Sequence, residues 1–208
     1  MTKDNVTRGY GLLERFLANK RAKMANEIIP LALRTGRILD IGCGPLPYFL
    51  LNTEFKNKYG MDRVVNISHS TDNINIGKFD LDSGSKLPFE NDFFDVITML
   101  AVFEHIKSEK ILIAIQEIRR VLKPEGRFIL TVPAPWTEEL LRVMAALGLV
   151  SRDEIRDHKC AYSHRDIIDY LLRCGFERDK MKLGYFEMFL NITKLHKRYL
   201  IRVLYLLV

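Results

Sequence analysis

The residues of this chain that could do chemistry are carboxylates placed where apolar runs end. Ile38-Leu-Asp-Ile-Gly-Cys-Gly-Pro45 is a β-like run that carries Asp40 and then breaks into alternating glycines. Gly42 and Gly44 lack a Cβ, so the turn around Cys43 can take unusual dihedrals and lie directly against a ligand. A strand that hands over to a helix through such a turn opens a nucleoside-binding βαβ unit. About 20 positions later the segment Lys58-Tyr-Gly-Met-Asp62 ends in a second carboxylate, the spacing at which a second strand meets a ribose. Asp62 can accept both ribose hydroxyl hydrogens. Phe79-Asp80-Leu81-Asp82 supplies a third acidic position, and Glu104-His105 follows the apolar stretch Phe94 to Leu100.

Two histidines carry acid–base potential. His105 stands beside Glu104 just past a strand, and its ordinary pKa suits a general base. His158, in Asp157-His158-Lys159 ahead of Tyr162-Ser163, is a second candidate on the substrate side, or alternatively a cap or surface group. Nothing in this set demands a metal ion. Several carboxylates around one pocket suit a cationic ligand and repel a pyrophosphate, and Pro45 and Pro47 remove amide donors that a dinucleotide would need.

The elements that must position these groups read as an alternating α/β order. Leu12, Leu13, Phe16, Leu17, Met24 and Ile28 recur at helical spacing and predict an amphipathic N-terminal helix, within a helical segment 1–36, whose apolar stripe covers a sheet. Strands are predicted at Arg37–Ile41, Lys58–Met61, Gly77–Leu81, Phe94–Leu100 and Arg127–Val132, with helices near Tyr48–Glu54 and Lys107–Val121. Ligands of such open sheets bind outside the carboxyl ends of the central strands, where Asp40, Gly42, Asp62, Asp80 and Glu104 all fall. The run Arg63–Ile76 has no helical period. Helices are also predicted at Glu138–Leu149 and at Ser163–Cys174, the latter opened by Ser163 as N-cap and closed by Gly175.

The 208 residues, 48% hydrophobic, suffice for one domain with a sizeable core, taken here as 1–208. Three cysteines, Cys43, Cys160 and Cys174, suggest neither a disulfide framework nor a metal site, so a reduced, cytoplasmic protein is expected. The start lacks a signal-peptide core and no apolar run reaches the roughly 18 residues of a membrane span. The net charge of +6 is uneven: residues 1–37 and 173–208 each carry 8 basic and 3 acidic groups, which leaves −4 for the middle. Basic ends are either solvated helix faces or a margin that meets phosphates of nucleic acid or membrane. The basic, apolar tail 194–208 reads as neither helix nor strand, and must bury on the core, on a second copy or peripherally on a membrane.

From about Leu33 to Pro133 the chain resembles the class I S-adenosylmethionine-dependent methyltransferases, in particular the small-molecule, type 11-like subgroup. Asp40-Ile-Gly-Cys-Gly44, Asp62, Phe79-Asp80-Leu81-Asp82, Leu87 to His105 and Val121 to Pro133 carry the likeness in order. One departure is Leu46, where the family's turn has a third glycine. The resemblance implies a Rossmann-like, doubly wound, mainly parallel sheet of seven strands with the last antiparallel. For the final pair, Glu177–Tyr185 and Phe189–Thr193 are candidates. It also implies a substrate-side lid within 134–175. It places Asp40 to Gly44 near the methionine portion of S-adenosylmethionine, Asp62 on the ribose, and Asp80 with the Leu81 backbone at the adenine, with Asp82 as the alternative reader. Residues after strand four, Glu104 and His105 among them, would line the methyl-transfer pocket.

The activity so implied moves a methyl group to an oxygen, nitrogen or carbon of a small or lipid-linked acceptor and leaves S-adenosylhomocysteine. In-line displacement from a sulfonium needs chiefly alignment and desolvation. An RNA methyltransferase is an alternative supported by the basic ends, although no aromatic-basic RNA-binding module is visible. A cofactor-binding partner subunit without its own activity is the other.

Overall fold

The computed structural model describes residues 11–65, 70–71, 73–187 and 202–207. Seven strands make one sheet: β1 (Arg37–Ile41), β2 (Asn57–Asp62), β3 (Ile74–Lys78), β4 (Phe94–Leu100), β5 (Leu122–Pro133), β6 (Lys182–Glu187) and β7 (Arg202–Leu207). Their order is β3-β2-β1-β4-β5-β7-β6. The first five strands are parallel, and β7 runs antiparallel to both β5 and β6. The order reverses between β1 and β4, and a parallel sheet opens a crevice at such a switch point.

Side-chain alternation in the central strands decides the layering. Ile38, Val96 and Ile129 point to one face, where they pack with Ala22, Ala25 and Ile29 of α1 (Glu14–Ile28) and its end and with Phe49 and Leu50 of α2 (Tyr48–Leu51). Leu39, Ile41, Ile97, Met99, Phe128 and Leu130 point to the other, against Ile111, Ile115 and Ile118 of α3 (Ile111–Val121). Because side chains in a strand alternate with period two, both faces of a parallel sheet must be apolar, and helices cover each. Two further helices, α4 (Glu138–Ala146) and α5 (Arg152–Arg156), follow β5, and Leu17 of α1 packs against Leu141, Met144 and Ala145 of α4. The last helix among the described residues, α6 (His164–Arg173), lays Ile167 and Leu171 on the α3 face. Its N-terminus carries a complete capping box between Ser163 and Asp166, as the sequence suggested for Ser163.

Several expectations shift. The third strand lies three residues earlier than Gly77–Leu81, because Ile74 is the residue that reaches the core while Asp80 leaves the sheet to cap a 3-10 turn at Leu81–Ser83. The second helix is a single turn, ended at Asn52, rather than running to Glu54. The helix predicted from Lys107 begins at Ile111, after a 3-10 turn at Ser108–Lys110. The strand read from Arg127 begins at Leu122, and its ladder with β4 passes from Phe94↔Leu122 to Val96↔Arg127 across a bulge-like register shift. The helix read as Glu138–Leu149 ends at Ala146. On α1 the stripe is shorter than read: Leu12 and Phe16 are exposed, and alanines 18, 22 and 25 provide the close contact. Residues 202–207 of the tail are an interior strand, so this part of it neither stands apart nor serves as a membrane surface helix. The candidate strand Phe189–Thr193 and residues 194–201 lie outside the described residues. In the stretch read as lacking a helix, described residues between Asp62 and Ile74 form none. No helix among the described residues is long and apolar enough to cross a membrane.

Candidate active site

The turn after β1 is fixed to the end of β2. The Gly42 amide donates to the Met61 carbonyl at 2.7 Å, and the Gly44 amide donates to Asp62 Oδ2 at 3.0 Å. Asp62 Oδ1 accepts from the Val64 amide at 2.8 Å. Gly42 and Gly44 both take left-handed dihedrals, with φ of +79° and +72°. Gly42 is also sterically required, since a Cβ there would lie 2.1 Å from Val102 Cγ2. Asp40 is 4% exposed and pairs in register with Thr98 of β4, whose hydroxyl donates to Asp40 Oδ1 at 2.7 Å. Burial raises the Asp40 carboxyl to about 7, with the Thr98 hydroxyl opposing and the Asp62 charge adding to the rise. The Cys43 thiol is buried and pushed up as well, so it stays protonated and packs beneath the turn.

Asp80 and Asp82 part ways. Asp80 is exposed, and its Oδ1 accepts from the Asp82 amide at 2.9 Å in a local turn. Asp82 is engaged elsewhere: Oδ1 accepts from the Lys107 amide at 3.0 Å and Oδ2 pairs with the Lys159 ammonium. Burial works against ionisation of Asp82, yet these two partners hold its carboxyl below the usual range.

Beyond β4 the chain is turned sharply. Ala101 has a left-handed φ of +59°, held by its amide donating to the Thr131 carbonyl at 3.1 Å and to the Thr131 hydroxyl at 3.0 Å. Such backbone strain persists only where neighbours over-determine it. A 3-10 turn at Phe103–His105 follows and brings Glu104 and His105 over the crevice. Glu104 is 4% exposed, and its Oε2 has no hydrogen-bond partner. His105 lies 3.7 Å from Glu154 and 3.6 Å from Asp157. Burial lowers its imidazole pKa, with Glu104 opposing and His158 assisting, so the ring is neutral at neutral pH. His158 Nδ1 lies 3.2 Å from Glu138 Oε2.

One cavity of about 230 Å³ brings these groups together. Asp40, Gly42, Cys43, Gly44, Asp62, Asp80, Leu81, Glu104, His105 and His158 all line it, as does Asp82. Sequence reasoning missed Glu14 and Arg21 of α1 and Glu154 of α5, which line it too. The signal was present: Glu14, Leu17, Ala18 and Arg21 recur at three- and four-residue steps, so two charges share the helix face that carries the buried stripe. Burial lowers the pKa of the Arg21 guanidinium, with the charges of Glu14, Glu104 and Glu154 opposing. The α4–α5 segment is stitched across the opening. Leu12 and Leu13 amides donate to the carbonyls of Gly148 and Leu149, the Ser151 amide donates to Glu14 at 2.6 Å, and Arg63 pairs with Asp157.

The turn's geometry makes a direct prediction. Gly42→Ala lowers the unfolding free energy by roughly 2 kcal/mol, measured by urea denaturation, because it adds both dihedral strain and a clash. Gly148 has a similar φ of +71° but open space around it, so Gly148→Ala reports the dihedral cost alone. Equal losses at the two positions would contradict the tight fit between Gly42 and Val102.

Comparison with known proteins bears on the family and the fold. The family model described as a methyltransferase domain matches residues 12–180. Among solved structures, a SAM dependent methyltransferase from Archaeoglobus fulgidus is similar with a TM-score of 0.66 at 18% identity, over 94% of this chain and 96% of that one. One from Mesorhizobium loti gives 0.65 at 16% identity, over 92% and 99%. A chain from a Haloferax volcanii complex that contains the Trm112 methyltransferase activator gives 0.65 at 18% identity, over 94% and 90%. An uncharacterized protein of Methanocaldococcus jannaschii is 31% identical over 101 residues, a match that spans 46% of this chain and 40% of that protein. By the family match over most of its length and the fold that goes with it, the chain belongs to the methyltransferase domain family.

Proposed function

We propose that this enzyme transfers the methyl group of S-adenosylmethionine to an oxygen, nitrogen or carbon of a small or lipid-linked acceptor. The observation that carries the reading is the convergence of Asp40, the glycine turn, Asp62 and the Glu104-His105 turn on one acidic cavity at the switch point of the sheet. In this reading Asp40 to Gly44 stand beside the methionine portion, Asp62 holds the ribose hydroxyls, and Asp80 with Leu81 meets the adenine. Asp80 is preferred over Asp82 because the latter is already bound by Lys107 and Lys159.

The residues present fit such a cofactor. Each Asp62 oxygen accepts one backbone hydrogen bond and keeps acceptor capacity for a hydroxyl. The Gly44 amide, which a pyrophosphate would need, is engaged by Asp62, and the helix beyond it is a single turn. Carboxylates at Asp40 and Glu104 favour a ligand with an ammonium and a sulfonium. When bound, the cofactor supplies an activated methyl group on a good leaving group.

The remaining work falls to the chain's own residues. Leu17, Leu141, Val150 and Ile155 make an apolar wall, and the α4–α5 segment limits water at that end. Arg21 adds a cation there, which suits an acceptor with an apolar body and an anionic group. His105, neutral by burial, can take an acceptor's proton, with His158 beside it at a ring-centroid distance of 5.0 Å. Turnover against lipid, saccharide and RNA fractions separates the acceptor classes, and the reading predicts methyl incorporation outside the RNA fraction.

Asp62→Ala should weaken S-adenosylhomocysteine binding at least tenfold by isothermal titration, because charge-assisted hydrogen bonds to the ligand are lost. Asp62→Asn keeps one oxygen for the turn amides and serves as the folded control. Unchanged affinity in either folded variant would refute the ribose assignment.

Asp40 predicts a pH dependence. Its folded pKa is raised, so the ligand-free chain keeps this contribution below the ordinary carboxyl value of 3.8 and loses it as pH rises toward about 7. Relative to Asp40→Asn, the wild type should lose about 4 kcal/mol across that window by denaturant unfolding. Cofactor affinity runs the opposite way: a ligand ammonium favours ionised Asp40, so binding tightens up to about neutral pH and releases a proton. A pH-independent difference between wild type and variant would remove Asp40 from this role.

A further inference from the structure

We propose that Glu104, His105 and His158 form a binding site for one divalent transition-metal cation at the acceptor end of the cavity. Each offers one ligand atom, and the three atoms lie within 4.8 Å of one another. Two imidazoles and a carboxylate are a donor set for zinc, iron(II), cobalt(II) or manganese(II), and not for calcium or magnesium, which prefer all-oxygen ligands.

The polar groups themselves point to a missing partner. Glu104 is almost fully buried, and its Oε2 accepts no hydrogen bond; His105 Nδ1 is likewise buried without one. A buried carboxylate oxygen left unpaired is costly and calls for an explanation in a folded protein. A cation between Glu104 and the two rings would give the orphaned Glu104 oxygen a partner, whereas His105 Nδ1 already faces Asp157 Oδ2 at 3.6 Å. His158 is prepared for ligation from its far side: Nδ1 contacts the Glu138 carboxylate at 3.2 Å, which orients the ring and leaves Nε2 for the metal. Glu154 and Asp157, each within 4 Å of His105, add negative charge around the cluster.

The spread of 4.8 Å exceeds the roughly 3.3 Å between ligands of a closed tetrahedral zinc site, so binding draws the three side chains inward. Two of the ligands sit on the turn after β4 and the third follows α5, joined there by the Lys159 amide donating to the Glu104 carbonyl at 2.9 Å. A bound cation therefore also ties this segment down over the cavity. Three protein ligands leave coordination positions open toward the cavity, and an oxygen of the acceptor can fill one. A hydroxyl held there ionises more readily, so the site selects hydroxyl-bearing acceptors. With the cation in place His105 is a ligand, and only without it a proton acceptor. This use of the site rests on the methyltransferase reading, whereas the binding of the metal does not.

The test is titration of the full chain with Co²⁺ alone, read by its visible d–d bands and by metal content after gel filtration, with S-adenosylhomocysteine affinity measured on the same samples. One tightly held Co²⁺ per chain is expected, displaced by Zn²⁺ and not by Mg²⁺. Glu104→Gln and His158→Gln should each weaken Co²⁺ binding at least tenfold, with thermal unfolding showing that both variants fold. Should either variant fail to fold, His105→Gln or the reversal by chelator of a cobalt-induced rise in wild-type Tm replaces it. Wild-type chain that binds S-adenosylhomocysteine but no Co²⁺, or that binds Co²⁺ equally well in the folded variants, overturns the proposal and leaves the cofactor reading intact. Stoichiometric Co²⁺ lost in the variants, in a chain that fails to bind S-adenosylhomocysteine, upholds the metal site and overturns the cofactor reading instead.

Discussion

The hydrogen bond from the Gly44 amide to the Asp62 carboxylate at 3.0 Å ties the turn after β1 to the end of β2, and the rest of the site is arranged around that tie. With the Gly42 amide on the Met61 carbonyl and the Val64 amide on Asp62, two neighbouring strand ends become one rigid rim. Left-handed dihedrals at both glycines make the rim possible, and the absent Cβ at Gly42 lets Val102 close in from β4. The third strand end joins through the Ala101 turn, which Thr131 of β5 holds in place. Four consecutive positions in the sheet order thus meet at one crevice.

Electrostatics explains why such a rim can be selective. Asp40, Asp62 and Glu104 crowd a partly desolvated space, and Asp40 resists ionisation there. Desolvated like charges disfavour each other and favour a cation, so the cavity is better matched to a positively charged ligand than to a diphosphate. Asp82 illustrates the converse: paired with Lys159 and the Lys107 amide, it is settled by the protein itself and holds the α5 end against the β3 end. The same segment carries His158 to within reach of His105, so this end of the cavity is assembled from residues more than fifty positions apart.

Much of this was legible in the sequence because local rules agreed with global ones. Asp40-x-Gly-x-Gly44, the spacing to Asp62 and the apolar run of β4 each have one compatible place in a parallel sheet, and the strand bounds Arg37–Ile41 and Phe94–Leu100 needed no revision. Positions set by tertiary contact were harder. Ile74 reads as loop because Asn and Ser surround it, yet packing recruits it into β3. Arg202–Leu207 looks equally like a surface helix until pairing with β5 and β6 claims it. Arg21 and Glu14 were hidden within an amphipathic stripe, since helical periodicity identifies a buried face without saying whether it meets a sheet or a cavity. Glu104 and His158 were each named from the sequence, but their spacing does not give their contact distance, which the α5 segment sets.

The measurement that bears most directly on the account is isothermal titration of the purified chain with S-adenosylhomocysteine, with NAD as the control ligand. One molecule of S-adenosylhomocysteine bound per chain at micromolar affinity, with no heat from NAD, is the predicted result. Binding of NAD, or a folded chain that takes up neither ligand, would contradict the assignment of the cavity.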